Sequence, residues 1–221
     1  MSAVPRILHH IWIGPENPPL KWMQTWRSHN PEWEYVLWNN NSLFKGRIWR
    51  NADHMESLYA EKKWSAVADL MRYEILLEQG GFVAPADSIC VRSINEFVDD
   101  ERYDAFSAYE NEKVRPGLVM PLLAASRGNE FAHHLVSSLH AQDSLLDGEA
   151  WQLTGNEFMQ DAIEATQYNG IKIWPSITMI PHHYTGEKGQ GDAPTFATHE
   201  WGSKGAYERY NKENPCLHLQ E

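Results

Sequence analysis

A chain of 221 residues with 42% hydrophobic and 22% charged side chains can bury one self-sufficient core, which excludes disordered, collagen-like and disulfide-framework classes. Its 19 basic and 30 acidic residues leave a net charge of −11 with His neutral, the wrong sign for a protein that gains affinity by neutralising nucleic-acid phosphates. Any anion bound here must be held locally, by a metal, a helix N-terminus or a few placed cations.

Residues 6–13, RILHHIWI, alternate two apolar faces and predict a strand closed by Gly14-Pro15. LKWMQTWRSH (20–29) places Trp22 and Trp26 on one helical face before Asn30-Pro31 stops it, and EYVLW (34–38) predicts a second strand. The longest predicted helix covers 65–79, with Ser65 as N-cap and Gly80 in the left-handed C′ position. Val83 then centres a short strand, Pro85 and Asp87 occupy a turn, and 88–94 continues extended. Further strands are predicted at 103–108, 117–125 and 171–174 and helices at 129–142 and 155–166, while 186–194, GEKGQGDAP, reads as a mobile loop. Strands alternating with helices predict an α/β sheet that binds ligands at the carboxyl ends of its strands, where residues 80–88 fall. Cys90, in an apolar run, and Cys216 predict reduced thiols. No apolar run is long enough to span a membrane, and MSAVPRILHHIWIG lacks the core of a signal peptide, so the expected location is cytoplasmic.

Four groups could carry chemistry. Asp69 and Arg72 share a helix face, either as a surface ion pair or as an anion and hydroxyl site. Asp87, behind Gly80-Gly81, is either a turn carboxylate or a ligand for a hard cation. His199 and Trp201 in THEWGS are packing residues or a ligand with a ring platform, and Trp12 beside Gly14 is a core indole or a surface for a flat ligand. The pairs His9-His10, His133-His134 and His182-His183 fail as metal sites because neighbouring side chains diverge; His10, two residues before Trp12, is the one nearest a site. P-loop, G-x-G-x-x-G, G-x-S-x-G, C-x-x-C and H-E-x-x-H motifs are all missing from the sequence.

HHIWIG, NPEWEYVLW, ADLMRYEILLEQGG with an acidic turn behind it, TGN and a late H-x-W-G-S occur in one order from about residue 5 to about residue 203. Together they resemble the glycosyltransferases with a sugar-binding DXD motif, a family of capsular-polysaccharide and mannosyl transferases related to clostridial glucosylating toxins. The resemblance implies a GT-A fold with a Rossmann-like mixed sheet flanked by helices. It implies one domain, with a nucleotide-binding part over about 1–95 and an acceptor and metal-loop part over about 96–221. It further implies retaining transfer of a sugar from a nucleotide-diphosphate donor to a carbohydrate acceptor, assisted by Mn²⁺ or Mg²⁺. On the matching positions Trp12, Ile13 and Gly14 would meet the base, with His10 just before them. Asp69 and Arg72 would hold sugar hydroxyls and phosphate, with Asp69 ionised, and Tyr73 would brace them. Asp87 and His199 would bind the metal, and Thr154, Gly155, Asn156 and Trp201 would complete the substrate site. Pro85-Ala86-Asp87 stands where the family has D-x-D, so weakened cation and donor affinity is expected. A non-catalytic nucleotide- or glycan-binding descendant is the alternative, and a nucleotidyltransferase a distant third.

Overall fold

A computed structural model describes residues 4–45 and 48–214, so Cys216 lies outside the described residues. In chain order the strands are β1 (Ile7–Ile11), β2 (Glu34–Trp38), β3 (Gly81–Ala84), β4 (Ser88–Cys90), β5 (Ala105–Asn111), β6 (Arg115–Val119), β7 (Ala124–Ala125), β8 (Ile171–Trp174) and β9 (Ala197–His199). The helices are α1 (Leu20–His29), α2 (Asn40–Lys45), α3 (Ala52–Ala60), α4 (Trp64–Gln79), α5 (Asn95–Val98), α6 (Glu130–His140), α7 (Ala150–Leu153), α8 (Asn156–Thr166) and α9 (Ala206–Glu213). The main sheet is ordered β2-β1-β3-β7-β5-β6, with β8 also on β5, and β4 pairs with β9 in a separate ribbon.

β1, β2 and β3 run parallel; β7 is antiparallel to both β3 and β5, so β5 and its parallel partner β8 share the direction of β1. The carboxyl ends of β1, β3 and β5 therefore open on one edge of the sheet. Alternation along the strands loads both faces. Leu8, Phe82 and Phe106 pack with Trp26, Phe97 and Phe196, while Ile11, Val83 and Ala105 pack against α4 and α6. This is the mixed α/β, GT-A type arrangement expected from the resemblance.

α4 places the site residues. Its inner face buries Val67, Leu70, Met71 and Ile75, which fixes the direction in which Asp69 and Arg72 project. The helix begins one residue earlier than expected, with Lys63 rather than Ser65 at the N-cap, and ends at Gly80. Gly80 has φ +69, and a Cβ there would approach the Arg127 amide nitrogen to 2.7 Å, so the exit turn requires glycine.

Three other expectations changed. The extended run ends at Cys90, because the Asn30 side-chain oxygen accepts from the Ile94 amide at 2.8 Å and turns the chain into α5. The predicted strand over 117–125 is divided into β6 and β7, with the Ser107 hydroxyl donating to the Met120 carbonyl at 2.8 Å in the break. Residues 186–194 are tied to the body: the Gly189 amide donates to the Pro181 carbonyl at 3.0 Å and the Ile177 amide to the Gln190 carbonyl at 3.1 Å.

Candidate active site

A cleft of about 770 Å³ opens at the shared carboxyl edge. Trp12, Ile13 and Gly14 line it from the end of β1, Ala84 to Asp87 from the end of β3, Asp69 and Arg72 from α4, and Gly155 and Asn156 from the start of α8. The C-terminal segment closes the perimeter with His199, Trp201 and Lys204. His10, Tyr73 and Thr154, also expected at the site, are buried and sit outside the cleft lining.

Arg72 and Asp69 form the buried charged pair of the cleft. Arg72 Nε lies 3.9 Å from Asp69 Oδ1, with the two side chains only 12% and 13% exposed. Arg72 Nη1 donates to the Val83 carbonyl at 3.2 Å, whereas Nε is buried with no hydrogen-bond partner. The Thr154 hydroxyl donates to Asp69 Oδ2 at 3.0 Å, and the Tyr73 hydroxyl donates to the Thr154 carbonyl at 2.7 Å. Tyr73 and Thr154 thus stand behind Asp69 and fix its orientation. Burial pushes the Asp69 carboxyl up to about 7, against the opposing pull of Arg72 and of Thr154. Desolvation outweighs a guanidinium placed 3.9 Å away, so this carboxyl holds its proton to higher pH than an exposed aspartate.

His10 packs between Trp26 and Tyr35, with Nδ1 at 3.2 Å from the Tyr35 hydroxyl. Burial, with His9 and Arg72 nearby, pushes it down to about 3, so it is neutral. His9 is a structural residue whose two nitrogens are both used. Its Nδ1 accepts from Trp38 Nε1 at 3.2 Å, which leaves Nε2–H to donate to the Gly80 carbonyl at 2.9 Å.

Asp87 joins the ends of the chain's two halves. Its Oδ2 accepts from the Gly202 amide at 2.9 Å and its Oδ1 lies 3.3 Å from His199 Nε2. The Trp201 amide donates to His199 Nδ1 at 3.2 Å, so Nε2 carries the ring proton toward Asp87. Trp201 is held in a left-handed conformation, φ 57 and ψ 57, against the rings of His183, Tyr184 and His199. At the other end Trp12 meets Tyr207 of α9 edge-on at 5.1 Å, and its indole N–H donates to the Glu16 carbonyl at 2.6 Å.

Gly14 is fixed by its surroundings. Its amide donates to Asn40 Oδ1 at 3.0 Å and its carbonyl accepts from Asn40 Nδ2 at 2.8 Å, so Asn40 uses both polar groups. At φ +121 a Cβ would meet the Trp64 indole at 3.1 Å. Gly14→Ala is expected to cost about 1–3 kcal/mol through backbone strain, read as a lower midpoint in urea unfolding. An unchanged midpoint would show that the turn can relax.

The sequence reading passed over Glu110, Arg115, Trp151 and Tyr207, all of which line the same cleft. Glu110 carried one usable signal, a carboxylate near the carboxyl end of a strand in an alternating α/β chain. The others reach the cleft only through tertiary packing.

Residues 19–104 match the family described as glycosyltransferase sugar-binding region containing DXD motif. That span holds Asp69, Arg72 and Asp87. Over that span the chain resembles the glycosyltransferases with a sugar-binding DXD motif. Among curated proteins the chain is 26% identical over 141 residues to uncharacterized protein L263 of Acanthamoeba polyphaga mimivirus. It is 25% identical over 142 residues to inositol phosphoceramide mannosyltransferase 3 of Schizosaccharomyces pombe. Each match takes in 62% of this chain but only 20% and 38% of those relatives' lengths. Two solved structures share the fold of this chain. PaToxG glycosyltransferase aligns with a TM-score of 0.61 at 14% identity, over 74% of this chain and 70% of its own. The UDP-bound glycosyltransferase domain of the YGT toxin aligns with a TM-score of 0.53 at 11% identity, over 77% of this chain and 79% of its own. Among the described residues no helix is long and apolar enough to cross a membrane.

Proposed function

We propose that this protein transfers a sugar from a UDP- or GDP-linked donor to a carbohydrate acceptor with retention at the anomeric carbon. The observation that carries the reading is one cleft at a strand-end edge uniting the ring of Trp12, the buried Asp69–Arg72 pair and the Asp87–His199 pair, with Asp69, Arg72 and Asp87 inside the matched region. Trp12 would stack on the base. Arg72, which lines the cleft, would donate to the diphosphate, where charge grows as the sugar leaves. Asp69 would accept hydrogen bonds from the sugar hydroxyls, and Gly155 and Asn156 would border the transferred sugar. In a front-side displacement the anomeric carbon–phosphate oxygen bond breaks as the acceptor oxygen bonds on the same face. The acceptor proton then passes to the departing phosphate oxygen.

Asp87 and His199 would hold Mn²⁺ or Mg²⁺, which takes its other ligands from phosphate and water; it would supply a counter-charge to the diphosphate. Two donor atoms 3.3 Å apart can share one cation, and among the described residues no group of three His, Cys, Asp or Glu gathers around one. Pro85 contributes no ligand. To ligate, His199 must move its ring proton to Nδ1, which the Trp201 amide now occupies, so cation binding competes with that amide. The buried thiol of Cys90 suits a reducing, cytoplasmic compartment.

Calorimetric titration with UDP, GDP and their hexose conjugates, with and without Mn²⁺, tests this reading. One nucleotide is expected to bind more tightly with the metal, and Asp87→Asn to abolish the metal increment while the metal-free binding survives. Absence of binding by every nucleotide would overturn the proposal. Donor binding without sugar release above a no-enzyme blank would instead establish the non-catalytic binding protein, the reading that Pro85 favours.

A further inference from the structure

Past Asp87 the cleft continues to a group of side chains that the donor chemistry leaves unused. β5 is separated from β3 only by β7, so Glu110 on β5 opens on the same edge as Asp87. β3 and β5 are two strand spacings, about 10 Å, apart, and Trp201, against both His199 and Tyr184, bridges the two groups.

Glu110 is buried, and its carboxylate is anchored from three sides. Oε2 accepts from Asn156 Nδ2 at 2.7 Å, Oε1 lies 3.1 Å from His183 Nε2, and Arg115 Nη1 is 3.6 Å from Oε1. The Thr185 amide donates to His183 Nδ1 at 3.3 Å, which leaves Nε2–H facing Glu110. Arg115 in turn lies over the Trp151 ring, Cζ 4.8 Å from its centroid, and Nη2 donates to the Tyr184 hydroxyl at 3.4 Å. Trp151 and Tyr184 are 39% and 41% exposed. Among the described residues, exposed large hydrophobic side chains number five, and these two are the ones that line the cleft.

We propose that Glu110, Arg115, Trp151 and Tyr184 form the binding subsite for a sugar ring of the acceptor; the acceptor role rests on the transferase reading above. Exposed indole and phenol rings offer a flat apolar surface to the C–H face of a pyranose. A carboxylate and a guanidinium on its rim serve hydroxyls, one as acceptor and one as donor. Glu110 and Glu149 are balanced at this end by Arg115 and by Lys204, whose Nζ lies 5.1 Å from the Tyr184 ring centroid, so the region has no excess positive charge to draw a diphosphate and suits a neutral polyhydroxylated ring. Both oxygens of Glu110 already take hydrogen bonds or an ion pair, which suits an oriented hydrogen-bond acceptor and not an attacking nucleophile.

Saturation-transfer NMR with the methyl glycosides of glucose, galactose, mannose and N-acetylglucosamine, at millimolar concentration, tests the subsite directly. At least one glycoside is expected to receive saturation at its ring protons, and Trp151→Ala and Glu110→Gln to weaken it about tenfold with nucleotide binding unchanged. Trp151 is a surface side chain, so its removal leaves the fold intact even if the Glu110 hub does not tolerate change. Wild-type protein that binds none of the glycosides, or a Trp151→Ala variant that binds them equally well, would overturn the subsite. Failure of the transferase reading shows separately, as wild-type protein that binds no nucleotide. With a donor in hand, Glu110→Gln should lose transfer but keep slow donor hydrolysis; loss of both in a variant whose circular dichroism is unchanged would overturn its role as an acceptor-binding group.

Discussion

Replacing Arg72 by lysine is expected to lower donor turnover about 100- to 1,000-fold while the protein stays folded. Lysine keeps the charge, so the test isolates geometry. The guanidinium divides its donors: Nη1 is committed to the Val83 carbonyl at 3.2 Å, and the buried Nε has no hydrogen-bond partner. An ammonium is a single strongly hydrated point, and it cannot hold the strand-end carbonyl and a phosphate oxygen in one fixed plane. It also carries a larger desolvation cost in a site where the native side chain is only 12% exposed. Because the charge on a leaving diphosphate rises in the transition state, the loss should appear in the maximal rate more than in donor affinity. Initial rates of nucleotide release, with circular dichroism as the control for folding, measure it. A lysine variant as fast as the native protein would remove Arg72 from the chemistry.

Much of the frame can be read in the sequence because its elements are locally coded. α1, β2 and β8 occur where periodicity and breakers place them, and β3 begins at the second glycine of the Gly80-Gly81 pair. What local coding does not reach is structure held by distant partners. α3, Ala52–Ala60, starts where the Glu74 carboxylate accepts from the Arg50 and Asn51 amides at 2.7 and 2.8 Å, an anchor on α4 that no window around residue 52 contains. α9 is fixed over α1 by the Tyr210 hydroxyl, which accepts from the Lys21 amide at 2.9 Å. The cleft divides in the same way. Asp69 and Arg72 are legible because a three-residue spacing on a helix puts two side chains on one face. Glu110 is legible only as a strand-end carboxylate, because its partners Asn156 and His183 are 46 and 73 residues away. His10 shows the reverse case: it adjoins Trp12 in sequence, but alternation along β1 sends it into the aromatic core with Trp26 and Tyr35.

Asp69→Asn is expected to stabilise the fold above neutral pH and to cost activity about 100-fold. The carboxyl ionises at 3.8 in the unfolded chain, whereas burial raises it to about 7 in the folded one. Between those values the folded state holds the extra proton. Stability from this group is therefore full below about pH 4 and is lost as pH rises through 7, the opposite of a salt-bridged surface aspartate. Asparagine has nearly the same shape and can accept the hydroxyl hydrogen of Thr154, which now donates to Oδ2 at 3.0 Å. It never pays the cost of ionising in a buried site. The variant should gain on the order of 2 kcal/mol at pH 8, several degrees in Tm, and little at pH 4. Activity should fall because a neutral amide accepts hydrogen bonds from sugar hydroxyls less strongly than a carboxylate and cannot balance Arg72. The same titration gives native activity an acidic limb near pH 7, which the variant lacks. Melting curves at pH 4, 6 and 8, paired with rates across that range, read both effects. A gain in Tm of equal size at every pH, or a native rate flat between pH 6 and 8, would mean that Asp69 is held ionised by its partners.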